Sequence, residues 1–352
     1  MQITFYVSGH GFGHASRAIE LMHTLLTRRP DARIVVRTAA PQWLFEVIAE
    51  SHGGTIDVQA IHADTGIVQI DSLRPDEEDT VRQAAGFYAT FDRRVAAEAD
   101  SLRRARADLV IGDIPPLAFA AAAQAGVPSV AVANFTWDWI YSIYPAFDRI
   151  APDVLPAIRR AYARATQALR LPLHGGFAPM AAVTRDIPFI ARPSSRSRVD
   201  TRHALGVTAN RPVVLPSFGA YGVDLPLERL AHDDRFTLID PRRDPPAGFL
   251  YQDLVAAADV VVSKPGYGIV SDCIANGTAL LYTSRGRFAE YDVFVEEMPR
   301  VLRCRYIPQD DLRAGRWADA VEALLAQPSP PEQPRVDGAN VATEAILDRV
   351  IG

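Results

Sequence analysis

The sequence predicts an α/β protein with two doubly wound parallel sheets and a cleft between them. Strand-like and helix-like segments alternate through residues 1–133, and the alternation restarts after a segment rich in Pro, Ser and Arg at 185–198. The strand-like segments are continuous apolar runs, which is typical of parallel strands covered on both faces. With 352 residues, of which 48% are hydrophobic, the chain can form two cores. We therefore predict two Rossmann-type domains, with ligands at the carboxyl ends of their strands.

The first half of the chain shows the clearest succession of elements. Apolar runs predict its strands, and amphipathic or alanine-rich segments predict its helices. Residues 64–79 are polar and predict a loop, and Pro41 suits the first position of a helix. The predicted strands are 2–8, 33–38, 56–61, 109–112 and 129–133, and the predicted helices are 16–27, 41–50, 80–106 and 117–125.

The second half repeats the pattern and ends in a helix after a Pro-rich spacer at 328–334. We assign 1–190 to an N-terminal domain, 191–335 to a C-terminal domain, and 336–352 to a terminal helix that packs back on the N-terminal domain. The predicted strands are 212–215, 236–239, 249–251, 260–262 and 279–282, and the predicted helices are 225–232, 253–258, 269–275, 317–326 and 340–351.

Composition narrows the class of partner. The net charge of −5 is spread without long runs, so nucleic acid is not predicted as a partner. Cys273 and Cys304 have no metal-ligand spacing, which suits a reducing cytoplasm. The sequence has no signal-peptide pattern and no apolar run of about 18–20 residues, so no membrane span is predicted. Peripheral contact with a membrane surface stays open.

The absent motifs exclude several kinds of chemistry. There is no Asp-x-Asp motif and no His/Cys cluster, so neither an obligatory metal nor another cofactor is predicted. The glycine-lysine loop of P-loop ATPases is also missing, as is the Gly-x-Ser-x-Gly turn that carries a nucleophilic serine.

The turn after the predicted strand 260–262 indicates an anion site. Its sequence, Ser-Lys-Pro-Gly-Tyr-Gly at 263–268, includes Gly266, Tyr267 and Gly268 and opens a helix. Free backbone N–H groups and the positive end of a helix point at one place in such a turn. Lys264 adds a mobile positive charge. We predict that this turn holds the phosphates of a nucleotide, and an ordinary strand-to-helix turn is the alternative.

A second glycine-rich turn, at 8–14, follows the first strand and contains His10 and His14. A dinucleotide fingerprint would stand here, but His14 occupies the place of its third glycine and no acidic residue ends the second strand. An NAD-dependent dehydrogenase is therefore only an alternative. Histidines facing a cleft suit acid–base catalysis, because imidazole titrates near neutrality. Capping of the helix or bonding to the backbone is the alternative role.

Two further segments carry candidate residues. Asp113 ends the strand at 109–112, where its carboxylate could hold a histidine tautomer or cap the following helix. The segment 134–144 follows the next strand and places aromatic residues around Asp138, including Trp137. Such aromatics form a stacking wall for a sugar or an apolar acceptor, or belong to the core.

Three long stretches together resemble the N-terminal, glycosyltransferase-like half of L-arabinokinases. They are Tyr-Val-Ser-Gly-His-Gly-Phe-Gly-His-Ala-Ser-Arg at 6–17, Asn-Phe-Thr-Trp-Asp-Trp-Ile-Tyr at 134–141 and Lys-Pro-Gly-Tyr-Gly-Ile-Val-Ser-Asp at 264–272. Weaker matches at 217–219, 288–294 and 311–317 extend the likeness over nearly the whole chain. Residues 249–272 are more distantly similar to the peptidoglycan-precursor N-acetylglucosaminyltransferase and other GT-B glycosyltransferases.

The resemblance implies a GT-B fold, an N-terminal acceptor domain and a C-terminal nucleotide-sugar domain. His14 matches the histidine that deprotonates the acceptor, and Asp113 matches an aspartate that orients it. Asp272 stands where relatives carry a ribose-binding glutamate and is one methylene shorter. The other positions carried over are Leu250 and Tyr251 along the nucleobase, Gly219 near the diphosphate, and Glu290 near the donor-sugar hydroxyls.

These observations predict a metal-independent, His-assisted glycosyltransferase. It would move a sugar from a nucleotide-diphosphate-sugar donor to a hydroxyl of a small-molecule or lipid-linked acceptor. The alternatives are a nucleotide-sugar-binding module without turnover, serving as partner of a sugar kinase, or another GT-B chemistry such as epimerisation. The sequence has no kinase glycine loop, so kinase activity is not carried over.

Overall fold

The computed structural model describes residues 1–207, 211–219, 222–240 and 247–351, which form two parallel sheets flanked by helices. The first sheet has seven strands and the second has five, and a two-stranded hairpin is hydrogen-bonded into neither sheet. The predicted fold class is confirmed. None of the described helices is long and apolar enough to cross a membrane.

The N-terminal half supplies the first sheet, the hairpin β4–β5 and eight of the described α-helices. Its strands are β1 (Gln2–Val7), β2 (Arg33–Thr38), β3 (Ile56–Ala60), β4 (Gln69–Asp71), β5 (Arg74–Pro75), β6 (Leu109–Asp113), β7 (Ser129–Phe135), β8 (Gln167–Gly175) and β9 (Thr184–Asp186). Its helices are α1 (Phe12–Arg28), α2 (Trp43–Ser51), α3 (Glu77–Tyr88), α4 (Phe91–Ala105), α5 (Pro116–Ala125), α6 (Trp137–Tyr141), α7 (Ala146–Ile150) and α8 (Val154–Tyr162).

The C-terminal half supplies the second sheet and ends in a helix that returns to the first half. Its strands are β10 (Val213–Ser217), β11 (Thr237–Leu238), β12 (Val260–Ser263), β13 (Ala279–Tyr282) and β14 (Cys304–Tyr306). Its helices are α9 (Arg198–Ala204), α10 (Leu227–Ala231), α11 (Tyr251–Ala257), α12 (Tyr267–Asn276), α13 (Ala289–Val301), α14 (Gln309–Arg313), α15 (Ala318–Leu325) and α16 (Gly338–Ile351).

Each sheet has a point at which the strand order reverses. The first sheet runs β3-β2-β1-β6-β7-β8-β9, and the second runs β11-β10-β12-β13-β14. The reversal therefore falls between β1 and β6 in one sheet and between β10 and β12 in the other. Val7 pairs with Asp113 across the first of these points. Ligands of doubly wound proteins bind at such points, beyond the carboxyl ends of the strands.

Several predicted elements are wrong in type or extent. Residues 249–251 are not a strand, because Asp253 accepts a hydrogen bond from the Leu250 amide at 2.8 Å and this bond starts α11. The predicted helix 80–106 is two helices, and the Thr90 hydroxyl bonds the Phe87 carbonyl between them. Pro41 lies two residues before α2 rather than opening it.

Other parts of the chain hold structure that the sequence patterns did not predict. The predicted loop 64–79 contains the β4–β5 hairpin and the start of α3. The segment after β7 contains α6, α7, α8, β8 and β9, and the C-terminal half contains α13 and β14. These elements have short or mixed patterns that a period of 2.0 or 3.6 residues identifies poorly.

The two halves interlock through three segments. Leu73, at the tip of the hairpin, is fully buried in the core of the second sheet, and Ser72 donates a hydrogen bond to the Phe218 carbonyl at 2.6 Å. In the opposite direction, Phe288 packs into the core of the first half. The terminal helix α16 lies against α1, where Arg28 pairs with Glu344 at 3.0 Å. These contacts pack the two halves of the chain against each other.

The hairpin contact predicts a large effect of one substitution. Leu73→Ala should lower the free energy of unfolding by about 2–5 kcal/mol, because it empties a fully enclosed apolar site. Ile70→Ala is the matched control, since Ile70 lies in the same hairpin with 61% of its surface exposed, and it should change stability by less than about 0.5 kcal/mol. Urea unfolding of both variants measures the difference. Equal effects would show that the hairpin does not hold the second domain.

Candidate active site

The first switch point brings His14 and Asp113 together. His14 lies in the first turn of α1 and Asp113 ends β6, and Nδ1 of His14 is 2.8 Å from Oδ1 of Asp113. Both side chains are buried, with 6% and 3% of their surfaces exposed. The N-cap residue of α1 is Gly11, with a φ of 74°, and α5 begins at Pro116 without a side-chain cap. The alternative capping roles of His14 and Asp113 therefore find no support.

Arg17, which the sequence patterns did not single out, completes this cluster. Its Nε is 2.5 Å from Oδ2 of Asp113 and its Nη2 is 2.5 Å from Oδ1, so the guanidinium holds the carboxylate with two hydrogen bonds. Burial alone raises the pKa of the Asp113 carboxyl, but the charges and hydrogen bonds of Arg17 and His14 outweigh it and hold the pKa below its usual value. Arg17 follows His14 by three residues in the quoted stretch 6–17, and this helical spacing was the available signal.

The tautomer of His14 follows from these distances. Nδ1 of His14 lies 2.8 Å from a carboxylate oxygen of Asp113 and 3.0 Å from the Nη2 donor of Arg17. Arg17 already donates to both Asp113 oxygens, so we assign the Nδ1 hydrogen toward Asp113. The other ring nitrogen, Nε2, then carries the lone pair.

The turn at 263–268, here called the donor-side turn after its predicted role, lies against this cluster from the C-terminal half. β12 ends at Ser263 and α12 begins at Tyr267, with Gly266 as its N-cap residue. A Cβ added to Gly268 would lie 3.2 Å from Cα of Gly13, so the N-terminal turns of α1 and α12 are in contact. The positive N-terminal ends of two helices therefore lie next to each other. A Cβ on Gly266 would meet no heavy atom within 4 Å.

Two cationic side chains lie beside this turn. Arg285 is buried, and its Nη1 is 3.3 Å from the Pro265 carbonyl and 3.5 Å from Oε2 of Glu290. Burial lowers the pKa of Lys264 to about 7, and the positive charge of Arg285 adds to the shift. An ammonium group held next to another cation is stabilised by a bound anion. This arrangement favours a ligand that carries negative charge.

His10 is enclosed by aromatic rings and differs from His14. Its ring lies edge-on to Trp137 at 5.5 Å and stacks on Phe288 at 6.1 Å. The Ile67 amide donates to its Nδ1 at 3.3 Å. Burial lowers the pKa of His10 well below its usual value, and the neighbouring His14 adds to the shift. The lowered pKa favours the neutral form of His10, and its ring packs against aromatic side chains.

The aromatic segment after β7 is largely core. Trp137 is 1% exposed and its indole N–H donates to Asp64 at 2.9 Å, a buried partner that the sequence patterns did not single out. Asp138 pairs with Arg159 at 3.2 Å. The core alternative therefore describes the position of Trp137, and the acceptor-side roles of both residues stay predictions.

The remaining predicted donor residues surround the second switch point. Asp272 is 2% exposed and its Oδ2 is 2.5 Å from Arg192, so its carboxylate is already occupied. The Tyr251 hydroxyl forms a hydrogen bond with the hydroxyl of Ser217, the last residue of β10. Leu250 is half exposed, and Gly219 has a left-handed φ of 67°. Their nucleotide-binding roles stay predictions.

The first 141 residues and the fold each have counterparts among known proteins. Residues 1–141 match the family model described as glycosyl transferase family 1. The described sheets have the arrangement of GT-B glycosyltransferases. The family match over residues 1–141 supports a glycosyltransferase, and the likeness to solved structures shows the fold.

One curated protein and two solved structures show what the chain is similar to. L-arabinokinase of Arabidopsis thaliana is 28% identical over 99% of this chain, which spans 34% of the length of that relative. UGT2 of Phytolacca americana, solved with UDP-2fluoro-glucose and pterostilbene, has a TM-score of 0.59 at 14% identity, covering 99% of this chain and 94% of the other. MurG of Acinetobacter baumannii has a TM-score of 0.51 at 11% identity, covering 99% of each chain. The predicted resemblance to arabinokinases and to GT-B enzymes is confirmed.

Proposed function

We propose that this protein transfers a sugar from a nucleotide-diphosphate-sugar donor to an acceptor hydroxyl, with His14 as the general base. The observation that carries the proposal is the contact of the two halves at Gly13 and Gly268. Through this contact the N-terminus of α12 adjoins the helix α1, which carries His14, the partner of Asp113. A base and an anion site must face each other there for a direct transfer.

The chemistry follows from the positions of these groups. Nε2 of His14 takes the proton of the acceptor hydroxyl, and Asp113 stabilises the imidazolium that forms. The acceptor oxygen bonds the anomeric carbon while the bond to the diphosphate breaks, and the diphosphate keeps the electron pair. The N-terminus of α12 and Lys264 stabilise that negative charge, so the described residues supply the role that a metal plays elsewhere. We also propose that the protein acts in the cytoplasm and that its acceptor is a small molecule or is linked to a lipid.

The relatives support the donor class. Phytolacca americana UGT2, which has a similar fold, was solved in complex with UDP-2fluoro-glucose and pterostilbene. The likeness to L-arabinokinase covers about a third of that protein, and it favours a second candidate, a nucleotide-sugar-binding module that acts beside a sugar kinase. An assay for sugar transfer separates the two candidate functions, because only the transferase turns over its donor.

Donor binding is the first test. A thermal-shift screen against UDP-, GDP-, ADP- and TDP-sugars should find at least one that stabilises the protein, by about 2.7 kcal/mol at a hundredfold excess over its dissociation constant. The lowered pKa of Lys264 makes the affinity depend on pH, because the anion binds the protonated amine. Affinity should be strongest below about pH 7 and weaken by up to about tenfold per pH unit above it.

Two variants of Lys264 sharpen this test. Lys264→Arg keeps its charge through this range and should remove the pH dependence while retaining affinity. Lys264→Met should bind weakly at every pH. Calorimetry in buffers of different ionisation enthalpy should show that the wild-type protein takes up a proton when the donor binds and that neither variant does. Equal affinity of the wild type and Lys264→Met would place the diphosphate elsewhere, and no shift with any donor would refute the proposed function.

A further inference from the structure

We infer that Asn134 is a positioning residue that links the donor-side turn to His14 through Glu290. This inference rests on the proposed function. Glu290 lies in the first turn of α13 in the C-terminal half, and Asn134 lies near the end of β7 in the first sheet. Neither the acid–base pair nor the anion site as described above includes Asn134.

A continuous chain of polar contacts connects the two sites. Nη1 of Arg17 donates to Oδ1 of Asn134 at 2.7 Å, and Nδ2 of Asn134 donates to Oε1 of Glu290 at 2.7 Å. The chain continues on one side to Asp113 and His14, through the two hydrogen bonds that Arg17 donates. It continues on the other side to Arg285, whose Nη1 lies 3.5 Å from Oε2 of Glu290 and 3.3 Å from the Pro265 carbonyl in the donor-side turn.

The chemistry of the neighbours fixes the orientation of the Asn134 amide. A guanidinium can only donate hydrogen bonds, and an ionised carboxylate can only accept them. The amide oxygen must therefore face Arg17 and the amide nitrogen must face Glu290. Asn134 is fully buried and Glu290 nearly so, which makes a mismatched group at either place costly.

The position of Arg17 depends on this amide. Arg17 is held by Asp113 at one edge of its guanidinium and by Asn134 at the other, with the ring of Tyr267 at 5.0 Å from its central carbon. A shift of Arg17 would move Asp113, which orients His14. One oxygen of Glu290 accepts from Asn134 and the other pairs with Arg285. We therefore assign Glu290 the role of holding Asn134, beside its predicted contact with the donor sugar.

Exchanging the polar groups at positions 134 and 290 tests this series of hydrogen bonds. Asn134→Asp sets a carboxylate against Glu290 and should lower kcat at least about tenfold, with little change in the KM for the donor, and lower the thermal midpoint by several degrees. In the double variant Asn134→Asp/Glu290→Gln, the new amide donates to the new carboxylate, which still accepts from Arg17. We expect it to regain most of kcat and of the thermal midpoint.

The control uses a partly buried amide that takes no part in this series of hydrogen bonds. Asn276, on α12, donates to the Arg192 carbonyl and accepts from the Ser194 amide. Asn276→Asp should lower the thermal midpoint, and Glu290→Gln should not restore it. A double variant at 134 and 290 that is no better than Asn134→Asp overturns the inference. So does one that regains stability but not kcat, or a Glu290→Gln variant whose only defect is a raised donor KM.

A readout without substrate separates this inference from the proposed function. The ring signals of His14 in NMR spectra of histidine-labelled protein should move in Asn134→Asp and return toward their wild-type positions in the double variant. This recovery is expected even if no donor is turned over. Unchanged His14 signals in Asn134→Asp would refute the link, whatever the activity of the wild-type protein.

Discussion

His14→Ala should lower kcat for sugar transfer by about 100- to 10,000-fold and change donor affinity by less than about threefold. General-base catalysis contributes a factor of this size, and the variant removes the imidazole ring that pairs with Asp113 and is proposed to take the acceptor proton. Donor affinity should persist because the anion site lies on α12 and Lys264, in the other half of the chain. Steady-state kinetics for kcat and calorimetry for donor affinity measure the two effects.

His203→Ala is the matched control for this experiment. His203 is exposed on α9, away from both switch points, and its removal should leave kcat and donor affinity unchanged. An unaltered kcat in His14→Ala would remove the base from the mechanism. Donor binding without turnover in the wild-type protein would instead support the binding module as the function.

Arg17→Met should lower the free energy of unfolding by about 3–5 kcal/mol at neutral pH. The variant leaves the Asp113 carboxylate buried without the guanidinium that compensates its charge, and breaking a buried pair in this way is costly. The double variant Arg17→Met/Asp113→Asn removes the unpaired charge and should recover part of the loss. Urea unfolding of the three proteins gives the comparison.

The pH dependence of the same variant has a defined sign. In the wild-type protein the pKa of Asp113 is lower in the folded state than in the unfolded state, so its contribution to stability is full above about pH 4 and is lost as the pH falls through the folded-state value. Without Arg17, burial dominates and raises that pKa, so stability should fall as the pH rises above about 4. The difference between the two proteins should be smallest in acid.

Arg82→Met controls for the loss of an arginine. Arg82 is exposed on α3 and pairs with Glu78 and Asp79 across a helical turn, and such surface pairs contribute little. Its stability should follow the wild-type curve at every pH. A stability of Arg17→Met that rises with pH as in the wild type would show that Asp113 does not depend on Arg17.

The sequence predicted the elements that local patterns determine. The strands β2 and β13 have the predicted bounds, and both glycine-rich turns lie where a strand leads into a helix. His14 and Asp113 were predicted as partners because each lies at the carboxyl end of a strand and matches a glycosyltransferase position, with helix capping as the alternative for Asp113. The strand predicted at 249–251 was wrong, since a side-chain cap from Asp253 decides the local structure there and a short apolar run does not reveal it.

The sequence by itself therefore determined the α/β class, the two glycine-rich turns and the candidate base, because hydrophobic period and turn chemistry are local properties. Only the tertiary structure decided which side chains meet. Arg17 and Asp113 are 96 residues apart, and Asn134 and Glu290 are 156 apart. Their contacts depend on the strand order of the first sheet and on the interlocking of the two halves, and no local pattern carries that information.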